Sequence, residues 1–461
     1  MATRRDQLHS YQFLTQRVIS AFVMRETDPQ QSPLRRGVGA VFGGVMVAVL
    51  VAAGFGIYGI LTKVGSDGWK TEGAVVIEKE TGASFVYLQG VLYPTLNFAS
   101  AKLAGRPSTQ VFRISSNSLG EVPRGNTIGI PGAPNSLPSV KKRIGLPWTI
   151  CSLQTTNQSG SQVTLDRLAV GRGTTGGRTL SDTEGLLVRE STEDRTYLIW
   201  RGRHHLLQGG AAMAQALFLE KVPERVGAGW INSLPAGKVI ENIVIPKAGE
   251  PFEKLPGRRI GDVLTVDIPT GEQNYVLYED GVAPITPLQL GVLDSQGDAK
   301  RREKVSLAER QDAGDSRFAR QSNDATDPPA SPPTIVDVSD EVCAVTSDGS
   351  TPPAIVVDGT VEGIDSAART GSATAAGDVL ADAVLVPAGR VAAVRVMPSP
   401  TAAAGYFVVT DTGHRYAVPS ADVLEQLGYP AAEAVEVPSA LVLRLPVGPT
   451  LIPAEAQKAA F

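Results

Sequence analysis

The segment VGAVFGGVMVAVLVAAGFGIYGIL, at 38–61, constrains the fold of this chain more than any other because it contains no charged side chain. A helix over this segment rises about 1.5 Å per residue, so it is about 36 Å long and can cross a hydrocarbon core of about 30 Å. The apolar part of a cleaved signal peptide has only about 7–15 residues, so this segment is too long to be one. A helix buried in a protein core is also a poor explanation, because such a helix of this length would rarely lack charged residues altogether. The sequence therefore predicts a single transmembrane helix at 38–61.

Positive charge is concentrated on the N-terminal side of this predicted span. Arg35 and Arg36 immediately precede it and further arginines lie upstream, whereas Lys63 and Lys70 follow it with Asp67 between them. Positively charged flanks stay in the cytoplasm. We therefore expect a single-pass protein of the cytoplasmic (inner) membrane, with its N-terminus in the cytoplasm and the residues after about 62 in the extracytoplasmic, periplasmic space.

The leader at 1–37 has the pattern of an amphipathic helix. Thr3 and Asp6 have the spacing of a capping box, which satisfies free backbone amides of the first helical turn. Apolar residues then recur at steps of three and four and form one face. This apolar face consists of Leu8, Tyr11, Leu14, Val18 and Phe22. Arginines off this face fit a helix lying on the anionic inner leaflet and a helix docking on a cytoplasmic partner equally well, and the sequence leaves both interpretations open.

The two cysteines, Cys151 and Cys343, both lie in the part of the chain expected outside the cytoplasm. An oxidising compartment permits a disulfide between them, which would close a long loop and stabilise the fold by up to about 5 kcal/mol. Two unpaired buried thiols are the alternative. If the disulfide forms, the chain between the cysteines is an insertion held at its base.

Four stretches of the outer part share a pattern of two strands and a helix. Each has an aromatic-led apolar strand, a glycine-containing turn, a second strand, and an apolar helix opened by a polar residue, glycine or proline. The stretches begin at Phe85, Tyr197, Tyr275 and Tyr406. A second signature, Leu-Pro-x-Gly, follows two of these stretches, at 234–237 and 445–448. The sequence therefore predicts four ββα-type repeat domains.

The histidine of the fourth stretch, His414, follows the hairpin turn at a position that we align with His204, Val91 and Val282. A position that accepts valine as well as histidine serves packing or strand propensity, so we expect no catalytic role for His414. His205 has no Cys, Asp or Glu at metal-ligand spacing nearby. The sequence therefore predicts no metal site.

Catalytic motifs are not found elsewhere in the sequence. Residues 171–177, GRGTTGG, match the dinucleotide pattern G-x-G-x-x-G, but turn and strand residues follow where the cofactor needs a helix. Neither a G-x-x-x-x-G-K-[ST] phosphate loop nor a G-x-S-x-G nucleophile motif occurs. The net charge of −4 and the isoelectric point near 5.8 argue against nucleic acid as the main partner. We therefore predict a membrane-anchored scaffold with no catalytic residues and no bound cofactor.

These patterns together predict an α+β fold whose extracytoplasmic region is elongated. The two cysteine-bearing segments flank the middle repeats, so the simplest architecture is a central, mainly-β domain with a disulfide and repeats on either side. The predicted segments are the leader helix (1–37), the transmembrane helix (38–61), repeat domain 1 (62–120), the first segment of the central β-domain (121–190), repeat domain 2 (191–245), repeat domain 3 (246–297), a charged and proline-rich linker (298–334), the second segment of the central β-domain (335–400), and repeat domain 4 with the C-terminal tail (401–461).

Two segments, IEKETGASFVYLQGVLYPTLNFASAKLAG at 77–105 and VPRGNTIGIPGAPNSLP at 122–138, resemble the EccB family of core membrane components of the type VII (ESX) secretion system of actinobacteria. The leader, the single span, PWTIC and the C-terminal Leu-Pro-x-Gly are similar to that family as well, whereas the resemblance weakens across 294–400. The resemblance implies a cytoplasmic N-terminal helix, one transmembrane helix, and four repeat domains in a rough two-fold arrangement around a central disulfide-bearing domain.

The function that the resemblance implies is structural: bracing the export assembly on its extracytoplasmic side during export of WXG100-type proteins. The implied partners are EccC, EccD and EccE, with a mycosin protease nearby, and self-association is expected. Some family members are described as ATPases, so an extracytoplasmic ATPase or phosphoanhydride hydrolase is an alternative, in which ATP would be the cofactor. A cell-wall-binding anchor module is a second alternative, based on the repeats.

Overall fold

The computed structural model describes most of the chain and divides it into two compact units, Met1–Thr71 and Glu72–Phe461. The described residues are 3–25, 35–61, 67–107, 110–120, 122–219, 221–269, 271–296, 301–318, 324–371, 373–375, 377–399, 403 and 405–460.

The α-helices range from long N-terminal helices to single turns. They are α1 (Arg4–Met24), α2 (Arg35–Leu61), α3 (Phe98–Ala104), α4 (Ser116–Leu119), α5 (Gly210–Phe218), α6 (Ala228–Ile231), α7 (Pro287–Ser295), α8 (Leu307–Ala313), α9 (Ala421–Gln426), α10 (Ser439–Val442) and α11 (Pro453–Ala456). Short 3₁₀ turns lie at Asp67–Trp69, Val140–Lys142, Ile364–Ser366 and Ala431–Glu433.

The β-strands all lie in the second unit. They are β1 (Ala74–Glu78), β2 (Ser84–Leu88), β3 (Val91–Pro94), β4 (Val111–Ile114), β5 (Trp148–Thr156), β6 (Gln162–Ala169), β7 (Arg178–Thr179), β8 (Glu184–Glu190), β9 (Thr196–Trp200), β10 (Arg203–Leu206), β11 (Glu224–Val226), β12 (Val263–Ile268), β13 (Gly271–Leu277), β14 (Val282–Ile285), β15 (Arg302–Lys304), β16 (Thr334–Ile335), β17 (Glu341–Thr346), β18 (Ala354–Val357), β19 (Ala368–Arg369), β20 (Ala383–Leu385), β21 (Val391–Met397), β22 (Tyr406–Thr410), β23 (Arg415–Val418) and β24 (Val435–Pro438).

The first unit contains the leader helix and the apolar helix. At the start of α1, the backbone N–H and the hydroxyl of Thr3 donate to Asp6 Oδ2, at 2.9 and 2.6 Å, which is the capping contact predicted for this pair. Within α2, Gly37–Tyr58 has a mean hydropathy of 2.4, and none of its most apolar stretch is buried against the rest of the protein. Among the described residues, α2 is the one helix long and apolar enough to cross a membrane.

Four sheets of the second unit have the same strand order. In each sheet three consecutive strands pair antiparallel, a helix follows, and the next strand pairs in parallel with the first of the three. The orders are β3-β2-β1-β4, β10-β9-β8-β11 with β16 added beside β8, β14-β13-β12-β15, and β23-β22-β21-β24. The hairpin and helix predicted from the sequence are therefore the middle part of a longer βββαβ unit.

Several predicted boundaries do not coincide with these sheets. β8 and β21 lie in the segments predicted for the central domain, yet they pair with β9 and β22 in the second and fourth βββαβ units. β15 and α8 lie inside the predicted linker at 298–334, and β15 pairs with β12. Sequence periodicity indicates which residues form a strand, but it does not indicate which other strand lies beside it. The strand pairing therefore corrects the predicted boundaries at 190, 297 and 400.

Parts of the predicted linker contact the repeats directly. Lys238 Nζ lies 2.6 Å from Asp327 Oδ1, and the backbone N–H of Leu288 donates to the carbonyl of Ala330 at 2.9 Å. The segment 324–330 is therefore packed along the second and third βββαβ units and is not the flexible linker that its composition predicts.

Three of the four helices that follow the hairpins of the βββαβ units begin at polar caps, whereas α5 begins after Gly209. The Asn97 side chain accepts from the backbone N–H of Ser100 at 2.9 Å, and Thr286 forms a capping box with Gln289. Ser420 accepts from the backbone N–H of Val423 at 3.4 Å. These caps satisfy amides that have no partner inside the first helical turn, which explains the polar residues before these three helices.

A short extended stretch after the fourth strand of each unit returns to the third strand, and we call it the return segment. In three units a proline carbonyl accepts the N–H of a third-strand residue, and the glycine two positions later donates to the carbonyl of the same residue. These pairings join Leu92 to Pro123 and Gly125, His204 to Pro235 and Gly237, and Arg415 to Pro446 and Gly448; in the third unit Val282 is joined to Gly314 and Ser316. The Leu-Pro-x-Gly signature is therefore the sequence pattern of a return segment.

A seven-stranded sheet, β19-β20-β6-β5-β17-β18-β7, combines strands from both sides of the middle units. Its strands β5–β7 precede the second unit, and β17–β20 follow the third. β5 and β17 are antiparallel neighbours, with Cys151 directly opposite Cys343. The two cysteine-bearing segments therefore meet in one sheet, as the sequence predicts.

Apolar side chains join the βββαβ units in two pairs. Leu103 of the first βββαβ unit packs in one cluster with Leu424 and Tyr429 of the fourth βββαβ unit. Met213 of the second βββαβ unit packs in another cluster with Val292 of the third βββαβ unit. The first and fourth units therefore share one core, and the second and third units share another.

Candidate functional site

The apolar face of α1 is exposed along its whole length. Its side chains have exposed fractions between 49% for Val18 and 86% for Phe22, and Leu8, Tyr11 and Leu14 lie between these values. Apolar side chains at helical spacing with no covering partner are typical of a surface that binds lipid or another protein. Arg35 and Arg36, which we predict to orient the span, are the first residues of α2.

The disulfide between Cys151 and Cys343 lies in the middle of the seven-stranded sheet. The sulfurs are bonded, the Cα atoms are 4.0 Å apart, and both residues are buried. Because the cysteines come from segments 192 positions apart, the bond connects the two halves of this sheet covalently.

A buried carboxylate, Glu341, lies beside the disulfide and is held by an arginine. Arg167 Nη2 lies 2.7 Å from Glu341 Oε2, and its Nη1 lies 2.9 Å from Asp365 Oδ1. Burial raises the pKa of Glu341, and the bond from Arg167 counteracts that effect. The Glu341 carboxylate and the two sulfurs lie within 4.8 Å of one another. Both sulfurs, however, are bonded in the disulfide, and the carboxylate is paired with the guanidinium of Arg167. The arrangement stabilises the sheet and does not offer a set of metal ligands.

The histidines of the repeats are packed side chains. Burial, with the neighbouring His205, lowers the pKa of His204 to about 4, and burial also lowers the pKa of His205. The Nδ1–H of His205 donates to the Lys238 carbonyl at 2.9 Å, and the Nδ1–H of His414 donates to the Thr412 carbonyl at 3.1 Å. Among the described residues, the hydrogen-bonded ring nitrogens, Nδ1 of His205 and Nδ1 of His414, face backbone carbonyls and not the Ser, Cys or carboxylate partner that general-base catalysis requires.

The alignment of His204 with Val91, Val282 and His414 is wrong by one residue at two of these positions, Val91 and His414. The return segments show that His204 corresponds to Leu92, Val282 and Arg415, because each donates its backbone N–H to a return segment. His414 precedes that position. The hairpin turns differ in length, since Leu88 pairs with Val91 whereas Val409 pairs with Arg415, and a sequence alignment counted from the first strand does not correct for this. That the His414 position serves packing or strand propensity, with no catalytic role, stays a prediction.

The glycine-rich segment at 171–177 forms a loop. A short strand, β7, follows it, so no helix N-terminus is available for a pyrophosphate. The backbone N–H of Thr175 donates to the Thr360 carbonyl at 2.7 Å, and Gly177 lies so close to Gly359 that a Cβ would collide with its backbone. The glycines therefore allow close packing of two loops rather than binding of a dinucleotide.

A groove of about 1030 Å³ lies between the second βββαβ unit, the central seven-stranded sheet and the segment 324–330. Trp200 and Arg201 line it at the β9–β10 turn, where the guanidinium lies 4.5 Å from the indole centroid and 3.1 Å from Asp182. Arg203 and Asp324 add charges of both signs. Among the described residues, the lining of this groove contains no His, Cys or Lys, and its Ser181 lies beside Asp182 without a histidine to complete a catalytic triad.

By its fold this chain is an α+β protein with one apolar helix near the N-terminus and a large β-rich unit. Residues 1–460 match the family model described as type VII secretion system ESX-1, transport TM domain B. The chain belongs to this family.

Curated relatives from mycobacteria match the chain to different extents. The ESX-2 secretion system ATPase EccB2 of Mycobacterium tuberculosis is 30% identical over 305 residues, which cover 64% of this chain and 59% of that protein. The match therefore spans about three-fifths of the length of that relative. The ESX-3 secretion system ATPase EccB3 of Mycolicibacterium smegmatis is 26% identical over 476 residues, which cover 97% of this chain and 89% of that protein.

Solved structures have a similar fold. The EccB3 dimer from the ESX-3 core complex is 26% identical with a TM-score of 0.62, covering 84% of this chain and 100% of that chain. The periplasmic assembly from the ESX-5 inner membrane complex includes a chain that is 25% identical with a TM-score of 0.60, covering 86% of this chain and 97% of that chain.

Proposed function

We propose that this chain is a structural, single-pass component of a type VII (ESX) secretion complex. α2 anchors it in the inner membrane, and the unit Glu72–Phe461 braces the export assembly on the extracytoplasmic side during export of WXG100-type proteins. The observation that carries the proposal is the family match over residues 1–460. The similarity of the β-rich unit to chains of an ESX-5 periplasmic assembly and an ESX-3 core complex supports it.

The membrane orientation is part of the proposal. Arg35 and Arg36 at the start of α2 support a cytoplasmic N-terminus, with the residues after about 62 in the periplasmic space. The disulfide in the second unit supports this orientation, because disulfides persist in oxidising compartments and are rare in the cytosol.

The four sheets with one strand order support a plan of four repeat domains around the central seven-stranded sheet. The shared cores of the first and fourth units and of the second and third units support a rough two-fold arrangement of these domains. Such an arrangement presents several similar surfaces to an assembly with several subunits.

The proposed partners are EccC, EccD and EccE, with a mycosin protease nearby, and a second copy of this chain. The structure of a relative as a dimer supports self-association. The test is affinity purification of the tagged full chain from native membranes in mild detergent, followed by mass spectrometry. We expect EccC, EccD and EccE to be enriched together; recovery of the chain without them would reject the proposal.

ATP hydrolysis is the alternative function, because the curated relatives carry ATPase in their names. No phosphate-binding loop motif occurs in this sequence, and the glycine-rich segment at 171–177 has no helix for a phosphate. Phosphate release from ATP by the purified full chain tests it. Turnover that persists after substitution of the groove residues Arg201 and Arg203 by Ala would exclude that groove as its site.

A further inference from the structure

Asp166, on β6, is a buried carboxylate at a junction of three parts of the second unit. It is 2% exposed, and its Oδ2 accepts the backbone N–H of Trp230 in α6 at 2.9 Å. Its own backbone N–H donates to Asp382 Oδ2 at 2.7 Å, and the backbone N–H of Asp382 donates to the Asp166 carbonyl at 2.7 Å. Asp166 therefore connects the central sheet with α6 and with the stretch before β20.

The junction is tightly packed around this carboxylate. A Cβ at Gly227 would overlap the carboxylate, and one at Gly229 would lie 2.8 Å from its Oδ2. The Ser152 hydroxyl, which accepts the N–H of Gly227 at 2.9 Å, bonds to the carboxylate as well. Among the described residues, the other oxygen, Oδ1, has no hydrogen-bond partner. An ionised carboxylate at this position is therefore only partly compensated.

The charged groups around Asp166 do not form an ion pair with it. Asp382 is a like charge that opposes ionisation of Asp166. Arg444 interacts with Asp166 through space, but its guanidinium donates to the carbonyls of Val379 and Ala440 at 2.5 and 3.0 Å. Asp378 and Arg415 also face Arg444. Burial, with a smaller effect of Asp382, raises the pKa of Asp166 to about 6, and the bonds from Ser152, Trp230 and Gly229 only partly offset this.

We propose that Asp166 is a pH-sensitive joint: its protonated carboxyl holds α6 and the stretch before β20 against the central sheet, and ionisation makes this junction open more readily. Opening hydrates the carboxylate, so its pKa returns to the ordinary value of 3.8. The closed junction binds the proton more tightly than the open one, and opening therefore becomes easier as the pH rises through about 6. For one group with these two pKa values, the opening constant is about tenfold larger at pH 8 than at pH 5.

The test is hydrogen exchange of the detergent-purified full chain between pH 5 and pH 8, followed by mass spectrometry of peptides covering 224–234. After correction for the intrinsic exchange rate, we expect protection of these peptides to fall by about tenfold from pH 5 to pH 8. Asp166→Asn keeps the shape of the side chain and removes the titration, so its protection should vary less than about twofold over this range. Asp365→Asn, at a side chain that is 95% exposed, is the matched control and should retain the wild-type pH dependence.

Two results would overturn the proposal. One is a wild-type protection that does not change with pH, which needs no variant to interpret. Another is a pH dependence that persists in Asp166→Asn. In that second case, loss of the pH dependence in Asp382→Asn would identify Asp382 as the titrating group.

Discussion

Gly237 and Gly448, in two of the return segments, lie against aromatic rings of the adjacent third strand. A Cβ on Gly237 would overlap the imidazole of His205, and one on Gly448 would overlap the ring of Tyr416. Gly125 has the same relation to Tyr93 in the first unit. His205 is thus the ring at a packing position that holds tyrosine in two other units, which accounts for its burial without a catalytic role.

Gly237→Ala and Gly448→Ala are each expected to lower the free energy of unfolding of the compact unit Glu72–Phe461 by about 1–3 kcal/mol. The reason is that the added methyl group must displace a buried ring or the backbone. The measurement is the midpoint of denaturant unfolding of the full chain in detergent. Gly120→Ala is the matched control, since the nearest atom to its added Cβ is 3.7 Å away. Equal midpoints for all three variants would contradict the packing role of the return-segment glycines.

At the residue scale, the sequence predicts the cap at Thr3 and Asp6 and the cysteine pair, because these depend on local spacing or on a choice among very few residues. It does not predict the burial of Asp166. The Asp166 carboxylate is enclosed by α6 and by the stretch before β20, which are distant in sequence, and no pattern within LDRLAV signals their approach.

Among the elements, α1 is distinguished by an apolar face that the described residues of the unit Met1–Thr71 leave exposed. Leu14 is 61% exposed on this face, whereas Gln16 is exposed on another side of the helix. An exposed apolar face of this kind binds a partner or lipid, and a charge placed in it opposes either interaction.

Leu14→Asp is expected to reduce recovery of EccC, EccD and EccE with the tagged chain several-fold. It should leave the unfolding midpoint of the second unit unchanged, because Leu14 is outside that unit. Gln16→Asp introduces the same charge on the same helix and should retain wild-type recovery. If both variants recover the partners equally, the apolar face is not a docking surface of the complex.

The sequence identifies long or strongly patterned elements and misses short ones. The apolar helix, the aromatic-led strands and the helices after Asn97, Thr286 and Ser420 are predicted because each has a periodicity and a start signal. β11 and β15 have three residues each, too few for a period, and exist because they pair with β8 and β12. The absence of β15 from the prediction placed the boundary at 297 before the end of the third βββαβ unit, whereas β11 lies inside the predicted repeat domain 2.

At the scale of the whole molecule, the disulfide and the pairing of β5 with β17 hold together segments on either side of two complete βββαβ units. The sequence predicts this arrangement because the two cysteines flank the middle repeats. It does not predict which repeats share a core, since that depends on packing between helices distant in sequence, such as α5 and α7.

Cys151→Ala with Cys343→Ala is expected to lower the free energy of unfolding by up to about 5 kcal/mol, because removing the bond restores loop entropy to the unfolded chain. The comparison is between unfolding midpoints of the variant and the wild type, each with and without a reductant. The reductant should lower the wild-type midpoint and leave the variant unchanged. Identical midpoints for oxidised wild type and variant would show that the bond does not stabilise the fold.

The central claim, a cytoplasmic leader and an extracytoplasmic brace on one transmembrane helix, is tested most directly by labelling with a membrane-impermeant maleimide. Ser10→Cys lies on α1, and Ser159→Cys lies in an exposed turn between β5 and β6. In intact spheroplasts we expect the cysteine at 159 to be labelled and the cysteine at 10 to be labelled only after permeabilisation. Labelling of position 10 with protection of position 159 would reverse the orientation and contradict the account.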